Sequence, residues 1–248
     1  MFRRKRGKTL IVVVTGAGIS VESGLPTFRG ESGLWNEVPV LEVATPEGFR
    51  KNPGHVFSFY NAMRRRLLES SVFPNKAHLA LSRLQQSLKE EVLIVTQNID
   101  DLHERAQSKN IVHMHGELLK AFCCVCECTM FWQNDMTTQS RCSICGRRGT
   151  LRPHVTWFGE TPHGLEEIED ALSYCRLFLS IGTSGRVFPA SEFAAKAKAH
   201  GACLVEFNKV RTILSPLFDA GLYGPVSETL PTWLEQFLRT DPRALLER

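Results

Sequence analysis

The chain has 248 residues, 43% hydrophobic and 23% charged, with a net charge of +4, which allows one core, or one large core carrying a smaller inserted module. The longest apolar run, residues 10–14, is too short to cross a bilayer, and the basic stretch before it lacks the apolar region and cleavage site of a secretory signal. No membrane partner, no specific nucleic-acid partner and a cytoplasmic location are therefore expected, with the chain working as a monomer.

Residues 1–7 read as a solvated basic tail. Residues 10–14 (LIVVV) read as a buried strand, and the Thr15–Gly–Ala–Gly stretch after them as a turn into a helix starting near Ile19. Residues 31–70 interrupt the pattern with loops and a helix over 56–68. A helix over 77–88 then leads to a second buried strand, 92–96. Residues 117–150 are poor in apolar side chains and rich in cysteine. After them come an extended stretch over 155–160, a helix over 164–173, a strand over 177–181, a helix over 190–199, a strand over 203–208 and a last helix near 232–238. Strands alternating with helices predict an α/β fold, a Rossmann-like parallel sheet covered on both faces. Residues 8–30, 71–116 and 151–240 would build it, and 31–70 with 117–150 would form a small inserted domain. Open parallel sheets bind ligands beyond the carboxyl ends of their strands.

Six of the eight cysteines fall between positions 123 and 145. Cys123-x2-Cys126 and Cys142-x2-Cys145 have the spacing of two knuckles that complete a tetrahedral zinc site. Four protein ligands leave no open position, so one structural zinc is expected. Cys124 and Cys128 are surplus: free thiols, or exchange ligands for Cys126. His115-Gly116-Glu117 has the spacing of a zinc deaminase motif, but the second cysteine pair would then have no role.

Gly16-Ala17-Gly18-Ile19-Ser20 follows a strand and opens a helix, where glycines let backbone N–H groups approach a phosphate. The strict dinucleotide fingerprint fails at Val21 and the P-loop pattern is absent. The loop alone leaves a nucleotide site and a plain tight turn equally open.

Further motifs decide between them. GLPTFRG occupies 24–30, TQNID 96–100, HGE 115–117 and FGE 158–160, while Gly182-Thr183-Ser184 and Asn208 end the third and fourth strands. In this order, from residue 10 to residue 226, they resemble the sirtuin family of NAD-dependent protein deacylases. VATPEGF at 43–49 and FYNA at 59–62 look most like its bacterial class III members.

The resemblance implies NAD as cofactor and acylated-lysine proteins as substrates. Gly16, Ala17 and Gly18 would hold the pyrophosphate, and Arg29 and Phe28 would close over the cofactor. Gln97 and Asn98 would hold the nicotinamide ribose, with Asn98 also ordering water, and Ile99 and Asp100 would meet the carboxamide. Gly182, Thr183, Ser184, Asn208 and Val226 would line the adenosine end. His115 would be the general base, since an unperturbed imidazole accepts a proton near neutral pH; His113, two residues away on the opposite face of an extended segment, is read as structural. Val155, Trp157, Phe158, Gly159 and Val187 would contact the acylated substrate. The products would be free lysine, nicotinamide and O-acyl-ADP-ribose.

One departure bears on the acyl group. Class III members combine a small residue, here Ala44, with a Tyr-x-x-Arg that binds acidic acyl groups. Tyr60 matches, but Met63 stands where the arginine would be. Arg64 is next, but one residue on a helix turns a side chain by about 100°. Met offers only polarizable apolar surface, so acetyl and longer neutral acyls are expected to be favoured over succinyl; the alternative reading of Met63 is plain helix packing beside Tyr60 and Leu67. Rival readings are a sirtuin-like ADP-ribosyltransferase using the same His115, a non-catalytic zinc-ribbon module on a nucleotide-sensing domain, and a dehydrogenase, which the broken glycine motif weakens.

Overall fold

The computed structural model describes residues 11–28, 33, 38–88 and 91–240. The basic tail over 1–7 and Arg29 lie outside them. In chain order the strands are β1 (Ile11–Thr15), β2 (Val92–Thr96), β3 (Ile111–His113), β4 (Gly116–Cys123), β5 (Thr129–Phe131), β6 (Leu151–Val155), β7 (Leu177–Ile181), β8 (Cys203–Asn208) and β9 (Ala220–Tyr223). The helices are α1 (Val40–Val43), α2 (Pro46–Lys51), α3 (Pro53–Leu67), α4 (Lys76–Leu88), α5 (Leu102–Arg105), α6 (Leu165–Tyr174), α7 (Ala190–Ala199) and α8 (Val226–Arg239).

Six strands form a parallel sheet in the order β3-β2-β1-β7-β8-β9. Successive side chains of a strand point to opposite faces, and here both faces are covered. Ile11 and Val13 pack with Leu81, Leu84, Leu230 and Leu234 of α4 and α8. Val12 and Val14 pack with Ile168, Leu172, Phe193 and Ala197 of α6 and α7. That is why β1, β2 and β7 are buried along their whole length and read as near-continuous apolar runs, Ser180 inside β7 being the polar exception. From β1 the chain runs outward to β3 on one side, and from β7 to β9 on the other. The direction reverses between β1 and β7, the switch point at which such sheets bind ligands.

Four local expectations change. The turn after β1 enters a 3-10 helix, Ala17–Ser23, two residues before the expected α-helical start. Residues 155–160 are not one extended stretch: after Val155 the chain turns, with Gly159 at φ +89° and the Glu160 N–H closing onto the Trp157 carbonyl at 3.0 Å. The last helix begins at Val226 and continues through Pro231, because Val226, Leu230 and Leu234 repeat every four residues and bury one stripe on the sheet. Residues 151–155, expected within the parallel-sheet unit, instead form strand β6, which pairs antiparallel with β4 in a second sheet ordered β5-β4-β6. A boundary at residue 150 would therefore cut that sheet.

Beneath the sheet's carboxyl end, His78 of α4 and His103 of α5 are fully buried with rings 5.0 Å apart. His103 Nε2 meets the Thr15 hydroxyl at 3.1 Å. Burial pushes His78 down to about 4 and His103 well below its ordinary value. A folded pKa below the unfolded 6.5 means stability that is complete above pH 6.5 and lost as pH falls toward about 4. We expect the free energy of unfolding to drop across that window by on the order of 3 kcal/mol more in the wild type than in His78→Leu. Parallel pH dependences for the two proteins in urea titrations would refute the assignment.

Candidate active site and metal centre

The loops leaving β1, β2, β7 and β8 open into one cavity of about 1140 Å³, above the roughly 300–1,000 Å³ of an ordinary small-molecule pocket. Gly16, Ala17, Gly18, Gln97, Asn98, Ile99, Gly182, Thr183, Ser184 and Asn208 line it from the strand ends, and Phe28 and Val226 join them. Its other walls carry Ala44, Tyr60, His115, Val155, Trp157, Phe158, Gly159 and Val187. Two residues expected at the site do not reach the wall: Asp100 lies behind it, and Met63 packs against the cluster of Ala44, Tyr60 and Trp157.

Close backbone approach explains the glycines. A Cβ on Gly18 would fall 2.6 Å from the Gly182 Cα, and Gly182 has φ +61°, so the loops of β1 and β7 touch with no side chain between them. Beyond β2, the buried Asn98 donates from Nδ2 to the Gly16 carbonyl and to Ser20 Oγ, both at 3.2 Å. Ser20 Oγ donates to Asp100 Oδ2 at 2.9 Å, and the Leu102 N–H to Oδ1 at 3.2 Å. Burial outweighs these bonds and pushes the Asp100 carboxyl up to about 6. Ser20, absent from the expected site, is the bridge between Asn98 and Asp100; its place in GAGIS, one helical turn past the glycines, was the signal.

His115 sits at the junction of the two sheets, between β3 and β4. Its Nδ1 lies 3.0 Å from the Gln97 carbonyl. A carbonyl only accepts, so Nδ1 carries the proton and the lone pair of the neutral ring is on Nε2. Gly116 follows with φ +79°, and a Cβ there would lie 2.2 Å from the His154 carbonyl, so only glycine admits this turn. His113 points elsewhere: Nδ1 donates to the Asn98 carbonyl at 3.3 Å and Nε2 to Glu104 at 2.6 Å. Burial works against its charged form, but the Glu104 carboxylate prevails and raises its pKa.

On the apolar wall, Trp157 Nε1 donates to the buried Tyr60 hydroxyl at 3.0 Å, and burial holds that phenol well above its ordinary pKa. The Arg152 guanidinium stacks 3.5 Å above the Trp157 ring and grips Glu160 at 2.5 and 2.9 Å. Arg64 is turned away, as helix geometry requires. It is fully buried, donating to the Leu118 carbonyl at 3.2 Å and Asn61 Oδ1 at 2.8 Å, and burial lowers its pKa to about 10.

The four paired cysteines cluster, with ligand atoms all within 4.8 Å of one another. Cys123 and Cys145 sulfurs are 3.8 Å apart and Cys126 and Cys142 sulfurs 3.7 Å. A tetrahedron with Zn–S bonds of about 2.3 Å has edges of about 3.8 Å, so the sulfur spacing fits zinc. Both knuckles are built alike: the Glu127 N–H bonds the Cys123 carbonyl, the Gly146 N–H the Cys142 carbonyl, and both residues have positive φ. Cys124 and Cys128 lie outside the cluster, with the Cys128 thiol on the Cys126 carbonyl at 3.4 Å.

The model of the Sir2 family matches residues 16–189. An NAD-dependent protein deacylase of Salmonella typhimurium is 49% identical over 229 residues, covering 92% of this chain and 84% of that protein. Among solved structures, a Sir2 homolog–NAD complex superposes with TM-score 0.83 at 34% identity, covering 94% of this chain and 91% of the other. Sir2Af2 bound to a myristoylated histone peptide gives TM-score 0.74 at 31% identity, covering 96% and 94%.

Proposed function

The chain belongs to the Sir2 family, and on that premise we propose that it is an NAD-dependent protein-lysine deacylase that favours acetyl and longer neutral acyl groups. The observation that carries the reading is a single cavity joining the glycine loops of the parallel sheet to an apolar wall of Ala44, Tyr60, Val155 and Trp157, with His115 on the same surface. NAD, when bound, supplies the electrophilic ribose carbon that accepts the acyl oxygen as nicotinamide departs. The backbone of Gly16, Ala17 and Gly18 receives the pyrophosphate, with Arg29 and Phe28 closing over it. Gln97 and Asn98 hold the nicotinamide ribose, Ile99 and Asp100 serve the carboxamide, and Gly182, Thr183, Ser184, Asn208 and Val226 the adenosine end. His115 takes a ribose proton at Nε2. Phe158, Gly159 and Val187 flank the peptide, and Cys123, Cys126, Cys142 and Cys145 hold one structural zinc.

The chain is read as two units, a Rossmann-like NAD-binding unit and a small unit carrying the zinc, working as a cytoplasmic monomer. No helix among the described residues is long and apolar enough to cross a membrane.

The acyl preference rests on Met63 and on Arg64 being committed to the Leu118 carbonyl and Asn61. The test is kcat/KM on acetyl-, crotonyl- and succinyl-lysine peptides. Acetyl and crotonyl should lead, and Met63→Arg should raise succinyl turnover about tenfold or more by restoring a fork for the carboxylate. Succinyl as the best substrate of the wild type by about tenfold would sink the preference.

A further inference from the structure

The cavity mouth carries charges that the reading above does not use. Of the charged side chains lining it, Glu160 is paired with Arg152 and Glu169 with Lys196. Arg186, Lys209 and Arg211 line it too, all exposed, and none forms an ion pair among the described residues. Among the described residues lining the cavity, Glu22 is the one acidic side chain without a cation partner, and it accepts a 3.4 Å bond from the Ser227 N–H. Beside the cations stand three exposed apolar side chains: Phe188 at 72%, Val210 at 65% and Ile213 at 69%. An exposed apolar group alternating with unpaired cations costs solvation unless something covers it.

This surface is held in place. Glu206, 1% exposed at the end of β8, accepts the Thr212 hydroxyl at 2.6 Å, the Tyr223 hydroxyl at 2.8 Å and the Ser215 hydroxyl. Thr212 in turn takes the Leu214 N–H on its oxygen at 3.2 Å, and its own N–H bonds Ser215 Oγ at 2.7 Å. The Arg211 guanidinium lies 5.3 Å above the Tyr223 ring. Three hydroxyls on one buried carboxylate thus fix the loop that presents Val210, Arg211 and Ile213, a preorganised face of the kind a recognition surface needs.

We propose that this rim docks the polypeptide flanks of the acylated lysine, and that it selects acidic residues interspersed with apolar ones. The partner is an acidic peptide segment because the uncompensated charge at the mouth is positive and the exposed uncharged groups between the cations are apolar. The proposal rests on the deacylase reading for which lysine is processed, but docking itself can be measured without turnover.

The experiment uses the full chain and two acetyl-lysine peptides identical but for flanks of Glu and Leu against flanks of Lys and Leu. Fluorescence anisotropy reads binding, and kcat/KM reads turnover. The acidic peptide should bind about tenfold more tightly at low ionic strength, with the preference shrinking toward unity at about 0.5 M salt. Arg186→Glu/Lys209→Glu/Arg211→Glu should reverse the order of the two peptides, and the milder Lys209→Gln/Arg211→Gln should halve or erase it if the triple variant does not fold. Equal affinities of the wild type for both peptides would overturn the proposal. So would an unchanged peptide preference in the variants with a raised KM for NAD, since the cations would then serve the cofactor. Binding preference without any deacetylation would leave the docking surface standing and remove the deacylase reading instead.

Discussion

His115→Ala is expected to lower kcat/KM for NAD-dependent deacetylation about 10²–10⁴-fold, the usual worth of a general base, with NAD affinity little changed. The expectation follows from how the ring is held. The Gln97 carbonyl at 3.0 Å fixes the proton on Nδ1, which leaves Nε2 as the basic nitrogen, and the tight turn at Gly116 sets where the ring emerges. The groups proposed to hold the cofactor's phosphates and adenosine line the cavity from other loops, at Gly16–Gly18 and at the ends of β7 and β8, so removing the imidazole should cost chemistry more than NAD binding. His113→Ala is the internal control. It severs the contacts to Glu104 and the Asn98 carbonyl, so it should perturb NAD affinity through the Asn98 loop and leave a larger share of turnover. Isothermal titration with NAD beside steady-state kinetics separates the two. Wild-type turnover in His115→Ala, or a loss confined to NAD affinity, would remove the imidazole from the base role.

Loss of a zinc ligand is expected to have the largest effect on stability. The core beside the cysteine cluster is small: Phe57, Ala121, Met136 and Leu151 with Cys123 and Cys142 themselves. So few apolar groups cannot hold the β5-β4-β6 sheet alone, and structural zinc is worth about 10–16 kcal/mol to a comparable module. Cys142→Ala should abolish metal content and melt this sheet well below the rest of the chain. Activity should go with it, because β6 leads directly into Val155 and Trp157 on the cavity wall. Cys124→Ser and Cys128→Ser should keep one zinc per chain and the parent melting temperature, since neither sulfur belongs to the cluster. Metal analysis and thermal melts check all three; full zinc content in Cys142→Ala would refute the ligand assignment.

Much of this is legible in the sequence. The inner strands β1, β2, β7 and β8 announce themselves as apolar runs, since most of their positions meet a helix layer on one face or the other. The cysteine spacing marked the metal centre because a knuckle is a local structure, built from bonds within a few residues. Strands β3 and β9 went unseen because they lie at the sheet's edges and are half-exposed, so their residues carry no continuous apolar signal. Strand β6 contains Pro153, which reads against a strand; as an edge of the three-stranded sheet it tolerates the missing N–H.

The parallel α/β architecture was legible in the alternation of apolar runs and helical periods along the chain, and the residue types of the site in motifs such as TQNID and HGE that resemble a known family. Which of those residues meet was settled by packing in three dimensions. It put Asp100 behind the wall and Ser20 between it and Asn98, committed Arg64 to Leu118 and Asn61, and set Tyr60 against Trp157, 97 positions away. A buried polar group must find a partner, and the chain folds that partner in from wherever packing brings it.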